Sequence, residues 1–136
     1  MIDNSKFISM VFFGLVILLG SQPALADHAN CNDVHAAAFL DEPGELTTLV
    51  HHGADLDCRD VLRQTPLITA TDGASLDIIK ILLEQGVTVN ARDELGETAL
   101  AKARHKLAFF DMKGGEGYRR LYEELIELLE QAGATE

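Results

Sequence analysis

The feature that most constrains the fold is a repeat with a period of 33 residues. Gly53 and Gly86 are 33 positions apart, and each follows a run of apolar side chains at helical spacing. The same offset relates four more pairs of similar residues: Val34 with Leu67, Ala37 with Ala70, Asp57 with Asn90, and Asp60 with Asp93. A period of this length predicts units that stack side by side, because each unit leaves an apolar face that only its neighbour can cover.

A third unit begins at Asp93 and is longer than the others. It ends at Gly133, which lies 47 residues after Gly86, so the unit carries 14 additional residues. The glycine-rich segment 113–117 is typical of a loop, and the leucines at helical spacing after it predict a helix over 118–131. The sequence therefore predicts three units at about 27–59, 60–92 and 93–136.

The middle unit carries the motif that relates the chain to a known family. Thr65-Pro66-Leu67, the small Ala70 and the helix that ends at Gly86 resemble the consensus of the ankyrin repeat family. The third unit repeats most of this pattern, and the first keeps a histidine, His35, at the expected place. The resemblance implies an all-α solenoid of three helix-turn-helix units with short β-hairpin-like turns and an enlarged C-terminal cap.

Two interpretations of the additional residues remain open. In the first, they enlarge the cap, and Phe109 and Phe110 fill the end of the stack. In the second, they form a loop that binds an acidic partner through the basic residues of this unit: Lys102, Arg104, His105, Lys106, Lys113, Arg119 and Arg120.

Residues 1–26 have the layout of a secretory signal peptide. A short polar segment with Lys6 precedes 14 uncharged, mostly apolar residues, and Ala24 and Ala26 occupy the positions that a signal peptidase reads. We expect cleavage between Ala26 and Asp27, which leaves a repeat domain of residues 27–136. An uncleaved N-terminal anchor is the alternative. A lone repeat domain behind such a segment predicts a bacterial protein of the periplasm, with secretion as the alternative.

Charge and motif content argue against several classes of function. The chain has 11 Lys and Arg against 22 Asp and Glu, a formal charge of -11, so neither nucleic acid nor, after cleavage, a membrane is expected as a partner. No catalytic triad or nucleotide-binding glycine motif can be found in the spacing. We therefore expect neither an enzyme nor a bound cofactor.

The two cysteines, Cys31 and Cys58, allow three states. An even count in an exported chain favours a disulfide, which would staple the degenerate first unit. A regular stack would instead place the two Cα atoms about 10 Å apart, beyond the reach of a disulfide, and leave free thiols. With His28 and His35, the cysteines could also bind zinc, but the resemblance gives His35 a hydrogen-bonding role, and we expect no metal.

The resemblance also implies where a partner binds. Ankyrin repeat proteins usually meet partners at the hairpin tips and on the exposed face of the inner helices. The tip positions here are Val61, Leu62, Gln64, Glu94, Leu95 and Glu97, and the inner-helix positions are Phe39, Leu40, Asp72, His105 and Lys106. Phe39 and Leu40 could equally cover the open end of the stack.

We therefore expect an exported protein that acts as a non-catalytic protein–protein interaction module. A redox- or metal-responsive periplasmic protein that uses Cys31 and Cys58 is one alternative. A secreted effector that binds host proteins is another.

Overall fold

The computed structural model describes residues 23–136, and within them it contains six helices in three consecutive pairs and no strand. The first pair is α1 (Pro23–Leu40) and α2 (Pro43–His51), the second is α3 (Pro66–Asp72) and α4 (Leu76–Glu84), and the third is α5 (Ala99–Lys113) and α6 (Glu116–Gln131). The predicted all-α solenoid of three helix-turn-helix units is confirmed.

Most of the predicted signal peptide lies outside the described residues. Helix α1 begins at Pro23 and continues through Ala26 and Asp27, where cleavage is expected, so export and cleavage remain predictions. Among residues 23–136, no helix is both long and apolar enough to cross a bilayer.

The units stack in register with the 33-residue repeat. The inner helices contact one another in the order α1, α3, α5, and the outer helices in the order α2, α4, α6. Ala37, Ala70 and Ala103 are all at most 1% exposed, and these small side chains let neighbouring inner helices approach closely. The core between the two layers is built from aliphatic side chains, including Leu46, Leu67, Ile79, Leu82, Leu100 and Leu129.

The helix ends follow from local sequence. Thr65 and Thr98 are N-caps whose side chains accept hydrogen bonds from the backbone N–H of Ile68 and Ala101, and Pro66 occupies the first turn, where no N–H is needed. Each outer helix ends at a glycine with positive φ: Gly53 (75°), Gly86 (74°) and Gly133 (87°). In each case the glycine and its successor donate backbone hydrogen bonds into the last turn, which is a Schellman motif.

The 14 additional residues of the third unit lengthen its helices. Helix α5 has 15 residues against 7 in α3, and α6 has 16 against 9 in α4. Only Gly114 and Gly115 connect them, so the predicted loop over 113–117 is a two-residue turn and α6 begins two residues earlier than predicted. Gly114 adopts φ 72°, which permits this reversal.

The third unit therefore forms an enlarged cap, although only one of its two phenylalanines fills it. The ring of Phe110 stacks on Tyr118 at 4.7 Å and on Tyr122 at 5.7 Å between centroids. Phe109 remains 49% exposed, so it does not close the end of the stack as expected.

Cys31 and Cys58 form a disulfide with a Cα–Cα distance of 5.8 Å. The separation of about 10 Å expected for a regular stack is wrong, because the first unit is not regular at this point. Cys31 occupies the repeat position of Gln64, which lies in a hairpin, yet in the first unit this position is already part of α1. The helical path brings Cys31 beside the segment that leads into the first hairpin.

The resemblance implied that His35 forms hydrogen bonds within its turn, but both partners of the ring lie far away in sequence. Its Nε2 lies 3.3 Å from the carbonyl oxygen of Cys58, and its Nδ1 lies 2.9 Å from Oγ1 of Thr69 on the next inner helix. The ring therefore joins α1 to both the hairpin segment and the second unit.

We predict that loss of the disulfide destabilises the protein by about 3 kcal/mol, because the bridge closes a loop with a sequence separation of 27 residues in the unfolded chain. Denaturant unfolding of the Cys31→Ser/Cys58→Ser double variant measures this change. Adding reductant should destabilise the wild type similarly and leave the double variant unchanged. Equal unfolding midpoints for the oxidised and reduced wild type would contradict the prediction.

Candidate protein-binding surface

Two hairpin tips of the same construction project from the stack. In the first, Oδ1 of Asp60 accepts the backbone N–H of Leu62 at 2.9 Å and of Gln64 at 2.8 Å. In the second, Oδ1 of Asp93 accepts the backbone N–H of Leu95 and of Glu97, both at 2.9 Å. The aspartates paired by the 33-residue offset are therefore the groups that hold each tip in shape. Asp-centred turns of this kind are a common local structure.

The left-handed position of each tip is filled differently. Gly96 has φ 78° in the second tip, whereas the equivalent Arg63 has φ 57° in the first. A non-glycine residue in this region carries a modest steric cost, which the two hydrogen bonds to Asp60 help to offset.

A ladder of hydrogen bonds ties neighbouring tips together. The backbone N–H of Glu94 donates to the carbonyl of Leu62 at 3.0 Å. The guanidinium of Arg59 donates to the carbonyls of Arg63 and Arg92, and that of Arg92 donates to the carbonyls of Gly96 and Glu136. Arg59 thus joins the first tip to the segment that precedes the second tip, and Arg92 joins the second tip to the C-terminal residue.

The space between the tips is a groove of about 260 Å³. Leu62 and Leu95 form its apolar walls, with 51% and 80% of their surface exposed. The remaining lining residues are Gln64, Asp93, Glu94 and Lys102. The groove therefore offers apolar contact between polar ends.

A single ammonium group organises the charges below the groove. Nζ of Lys102 lies 3.1 Å from Oδ2 of Asp93, 3.4 Å from Oδ2 of Asp72 and 3.7 Å from Oε2 of Glu97. The side chains of Lys102 and Asp93 are only 12% and 3% exposed. This cluster joins α3, α5 and the second tip.

The two innermost charges shift each other's pKa. Burial raises the pKa of Asp93, but hydrogen bonds from the backbone of Glu97 and from Lys102 outweigh it and leave that pKa below its usual value. Burial lowers the pKa of Lys102, but the hydrogen bond to Asp93 and the charge of Asp72 outweigh it and raise that pKa. Both groups are therefore held in their charged forms.

The surrounding side chains extend this network. His105 Nδ1 lies 2.9 Å from Oε1 of Glu97, Lys106 Nζ lies 4.0 Å from Oδ1 of Asp72, and the Gln64 amide donates to Oδ2 of Asp72 at 3.4 Å. Arg104 pairs with Glu130 and Glu136, and Arg119 with Asp111 and Glu123. These cations of the third unit therefore face carboxylates of the same chain, which weakens the interpretation of a basic loop that binds an acidic partner.

The structure brings most of the predicted site residues together. Leu62, Gln64, Glu94 and Leu95 line the groove, and the side chains around Lys102 belong to Asp72, Glu97, His105 and Lys106. Val61, at 93% exposure, does not line the groove and instead lines a separate cleft with Cys31. Phe39 and Leu40 are 67% and 60% exposed at the end of α1 and do not line the groove.

The role of Lys102 was not predicted from the sequence, where Lys102 is one of several basic residues of the third unit. Lys102 occupies the repeat position of Thr69, a buried residue, and a lysine at a buried repeat position signals a buried counter-charge. Asp93 was recognised as a repeat partner of Asp60, but its contact with Lys102 depends on how the second and third units pack.

We predict that Lys102→Met destabilises the protein by about 2–3 kcal/mol, because it leaves Asp93 charged and buried without its cation. Lys80→Met is the matched control. Lys80 pairs with Glu124 at 3.7 Å, but both side chains are about half exposed, so its loss should change the unfolding free energy by less than about 1 kcal/mol. Equal effects in denaturant unfolding would contradict the buried-pair interpretation.

The difference in unfolding free energy between wild type and Lys102→Met should also depend on pH. A lowered pKa at Asp93 contributes stability above the unfolded-state value of about 3.9, and this contribution disappears as pH falls through the lower folded-state value. A raised pKa at Lys102 contributes stability below about 10.4, and this is lost as pH rises through the higher folded-state value. We therefore expect this difference in unfolding free energy to be constant near neutral pH and to shrink in strong acid. Denaturant unfolding curves recorded across this pH range measure it.

A comparison with known proteins agrees with this geometry. The family model described as "Ankyrin repeats (3 copies)" matches residues 34–109, which include the C-terminal part of α1, helices α2 to α4, both hairpin tips and most of α5.

Several curated proteins are similar in sequence to this chain. The chain is 37% identical over 103 residues to ankyrin repeat and SOCS box protein 6 of Homo sapiens, covering 74% of this chain and 23% of that protein. It is 38% identical over 106 residues to serine/threonine-protein kinase VIK of Arabidopsis thaliana, covering 78% of this chain and 19% of the kinase. The chain thus spans less than a quarter of the length of either relative. With three repeats matched in phase, the chain belongs to the ankyrin repeat family.

Proposed function

We propose that this chain is an exported, non-catalytic protein-binding module that holds a partner polypeptide in the groove between its two hairpin tips. Ankyrin repeats are generally protein–protein interaction modules and typically non-catalytic. The observation that carries the proposal is the pair of exposed leucines, Leu62 and Leu95, that face one groove on two tips joined by a backbone hydrogen bond.

Exposed apolar side chains at this place favour binding over a purely structural role. Leu62 and Leu95 are absent from the hydrophobic core, so the fold gains little from them. Apolar residues in a concave site ringed by polar groups are the usual composition of a binding surface. A partner would cover both leucines at once and gain the hydrophobic free energy that the unbound protein forgoes.

Charge indicates the chemistry of the partner. The cation nearest the groove, Lys102, is already neutralised by three carboxylates, while Glu94 on the rim is exposed. The chain as a whole has a formal charge of -11. An apolar segment flanked by basic residues fits this surface, because the acidic field would speed its approach and fix its orientation.

Two observations support export to an oxidising compartment such as the periplasm. Residues 1–26 have the order of a signal peptide, with an apolar run followed by small residues at the expected cleavage site. The Cys31–Cys58 disulfide suits an exported protein, since disulfides are rare in the reducing cytosol.

We predict that Leu62→Glu/Leu95→Glu abolishes partner capture, because it replaces the apolar walls of the groove with charge. Affinity capture from the periplasm of the native source, read by mass spectrometry, measures the loss. Both side chains are exposed, so the unfolding free energy should change by less than about 0.5 kcal/mol.

Val61→Glu is the matched control for that experiment. Val61 lies on the same hairpin as Leu62 and is 93% exposed, yet it does not line the groove. The variant should capture the same proteins as the wild type. The groove would be the wrong site if the double variant still captured the same proteins. It would also be the wrong site if Val61→Glu lost them to the same extent.

We predict that the full-length chain, produced in a Gram-negative host, is recovered from the periplasm with Asp27 as its N-terminal residue. Osmotic-shock fractionation and N-terminal sequencing measure this. Ile17→Arg interrupts the apolar run and should keep the chain in the cytoplasm, uncleaved. Recovery of the wild type in the cytoplasm with Met1 intact would refute export.

A further inference from the structure

Three potential metal ligands lie close together where the Cys31–Cys58 disulfide joins α1 to the segment before the first hairpin. The ligand atoms are the two sulfurs of Cys31 and Cys58 and one ring nitrogen of His35, and they all lie within 4.8 Å of one another. All three residues are half-buried. Cys31 and His35 are one helical turn apart on α1 and so share a face, while Cys58 approaches from the hairpin segment. The disulfide occupies both sulfurs in the oxidised protein.

The histidine is held in an orientation that suits ligation. Its Nε2 faces Cys58, at 3.3 Å from the carbonyl oxygen, and its Nδ1 contacts Oγ1 of Thr69 at 2.9 Å. The Cys58 carbonyl can only accept a hydrogen bond, so Nε2 carries the proton in the oxidised protein and Nδ1 accepts from the Thr69 hydroxyl. Ligation by Nε2 requires the other tautomer, in which Nδ1 donates to the Thr69 hydroxyl and Nε2 exchanges its contact with the Cys58 carbonyl for the metal. Metal-bound histidines generally have such a hydrogen bond from the second ring nitrogen, which fixes the tautomer.

We propose that reduction of the Cys31–Cys58 disulfide converts this corner into a zinc site formed by Cys31 Sγ, Cys58 Sγ and His35 Nε2. A dithiol reductant transfers two electrons and two protons to the disulfide and becomes a disulfide itself, which leaves two protein thiols. One Zn²⁺ then binds both sulfurs and the neutral imidazole, and the two thiol protons are released to solvent. The proposal does not depend on partner binding at the groove.

The local geometry accommodates tetrahedral zinc. Zn–S bonds of about 2.3 Å place two ligand sulfurs roughly 3.8 Å apart, so breaking the disulfide requires only a small separation of the two side chains. The Cα atoms, 5.8 Å apart, need little movement. A cleft of about 400 Å³, lined by Cys31, Asn32, Arg59, Asp60 and Val61, adjoins the site, so a water molecule can complete the coordination.

The ligand set selects the class of metal. Two thiolates and an imidazole favour borderline or soft ions such as Zn²⁺ over Mg²⁺ and Ca²⁺, which prefer oxygen ligands. Bound zinc would replace the covalent bridge with a coordinate one between the same two segments. The segments that carry Cys31 and Cys58 would therefore remain linked in both redox states.

The test begins with protein reduced by excess dithiothreitol and desalted without oxygen. Titration with Co²⁺ should yield one bound ion with the visible bands of tetrahedral cobalt and thiolate charge-transfer absorption. Zn²⁺ should displace the cobalt and raise the melting temperature of the reduced protein, because it binds the folded state. The oxidised protein should bind neither ion at this site.

Variants separate the three-ligand site from binding by thiols alone. His35→Gln should weaken Zn²⁺ binding more than about tenfold and change the cobalt spectrum, whereas the control His51→Gln, at an exposed histidine of α2, should do neither. Melting the oxidised variants first establishes that His35→Gln is folded. Equal affinities for His35→Gln and His51→Gln, or zinc that fails to raise the melting temperature of the reduced wild type, would overturn the proposal.

Discussion

The structure depends on burial between neighbouring units, because no helix pair here covers its own apolar face. The alanines of the inner helices set the distance at which units pack, and the aliphatic side chains between the layers fill the space that results. In a linear stack of this kind, stability is close to a sum over units and the contacts between them. Within residues 23–136, the first and third units each pack against one neighbouring unit, and each has a further stabilising feature. The first unit has the disulfide, and the third has two lengthened helices.

Much of this fold could be predicted because the signals are local and repeat in phase. N-caps such as Thr65 and helix-ending glycines such as Gly86 depend on residues close in sequence. The 33-residue offset then predicts equivalent residues in the neighbouring units. The errors arose where that periodicity breaks. The expected separation of about 10 Å between Cys31 and Cys58 assumed a regular stack, although α1 already includes Cys31. Gly114 and Gly115 indicated a longer loop, although two residues are enough to reverse the chain.

The two tips were predictable in position, but the charges beneath them were not. The family resemblance and the 33-residue offset place Leu62 and Leu95 at equivalent tips, and both line the groove. The neutralisation of Lys102 depends on carboxylates from α3 and from the second tip, which are far apart in sequence and meet only after packing. A count of cations near the third unit therefore overstated the positive charge available to a partner. Phe39 and Leu40 were equally hard to place, because nothing in the sequence says whether the open face of α1 is covered.

The hydrogen-bond ladder between the hairpins also bears on the entropy of binding. Flexible loops must lose conformational freedom when they grip a partner, and that loss subtracts from affinity. Here Asp60 and Asp93 hold each tip, and the bond from Glu94 to Leu62 fixes the spacing between them, before any partner arrives. In the proposed complex, selectivity would depend on whether the partner presents apolar side chains at an interval that matches Leu62 and Leu95, more than on how well either tip can adapt.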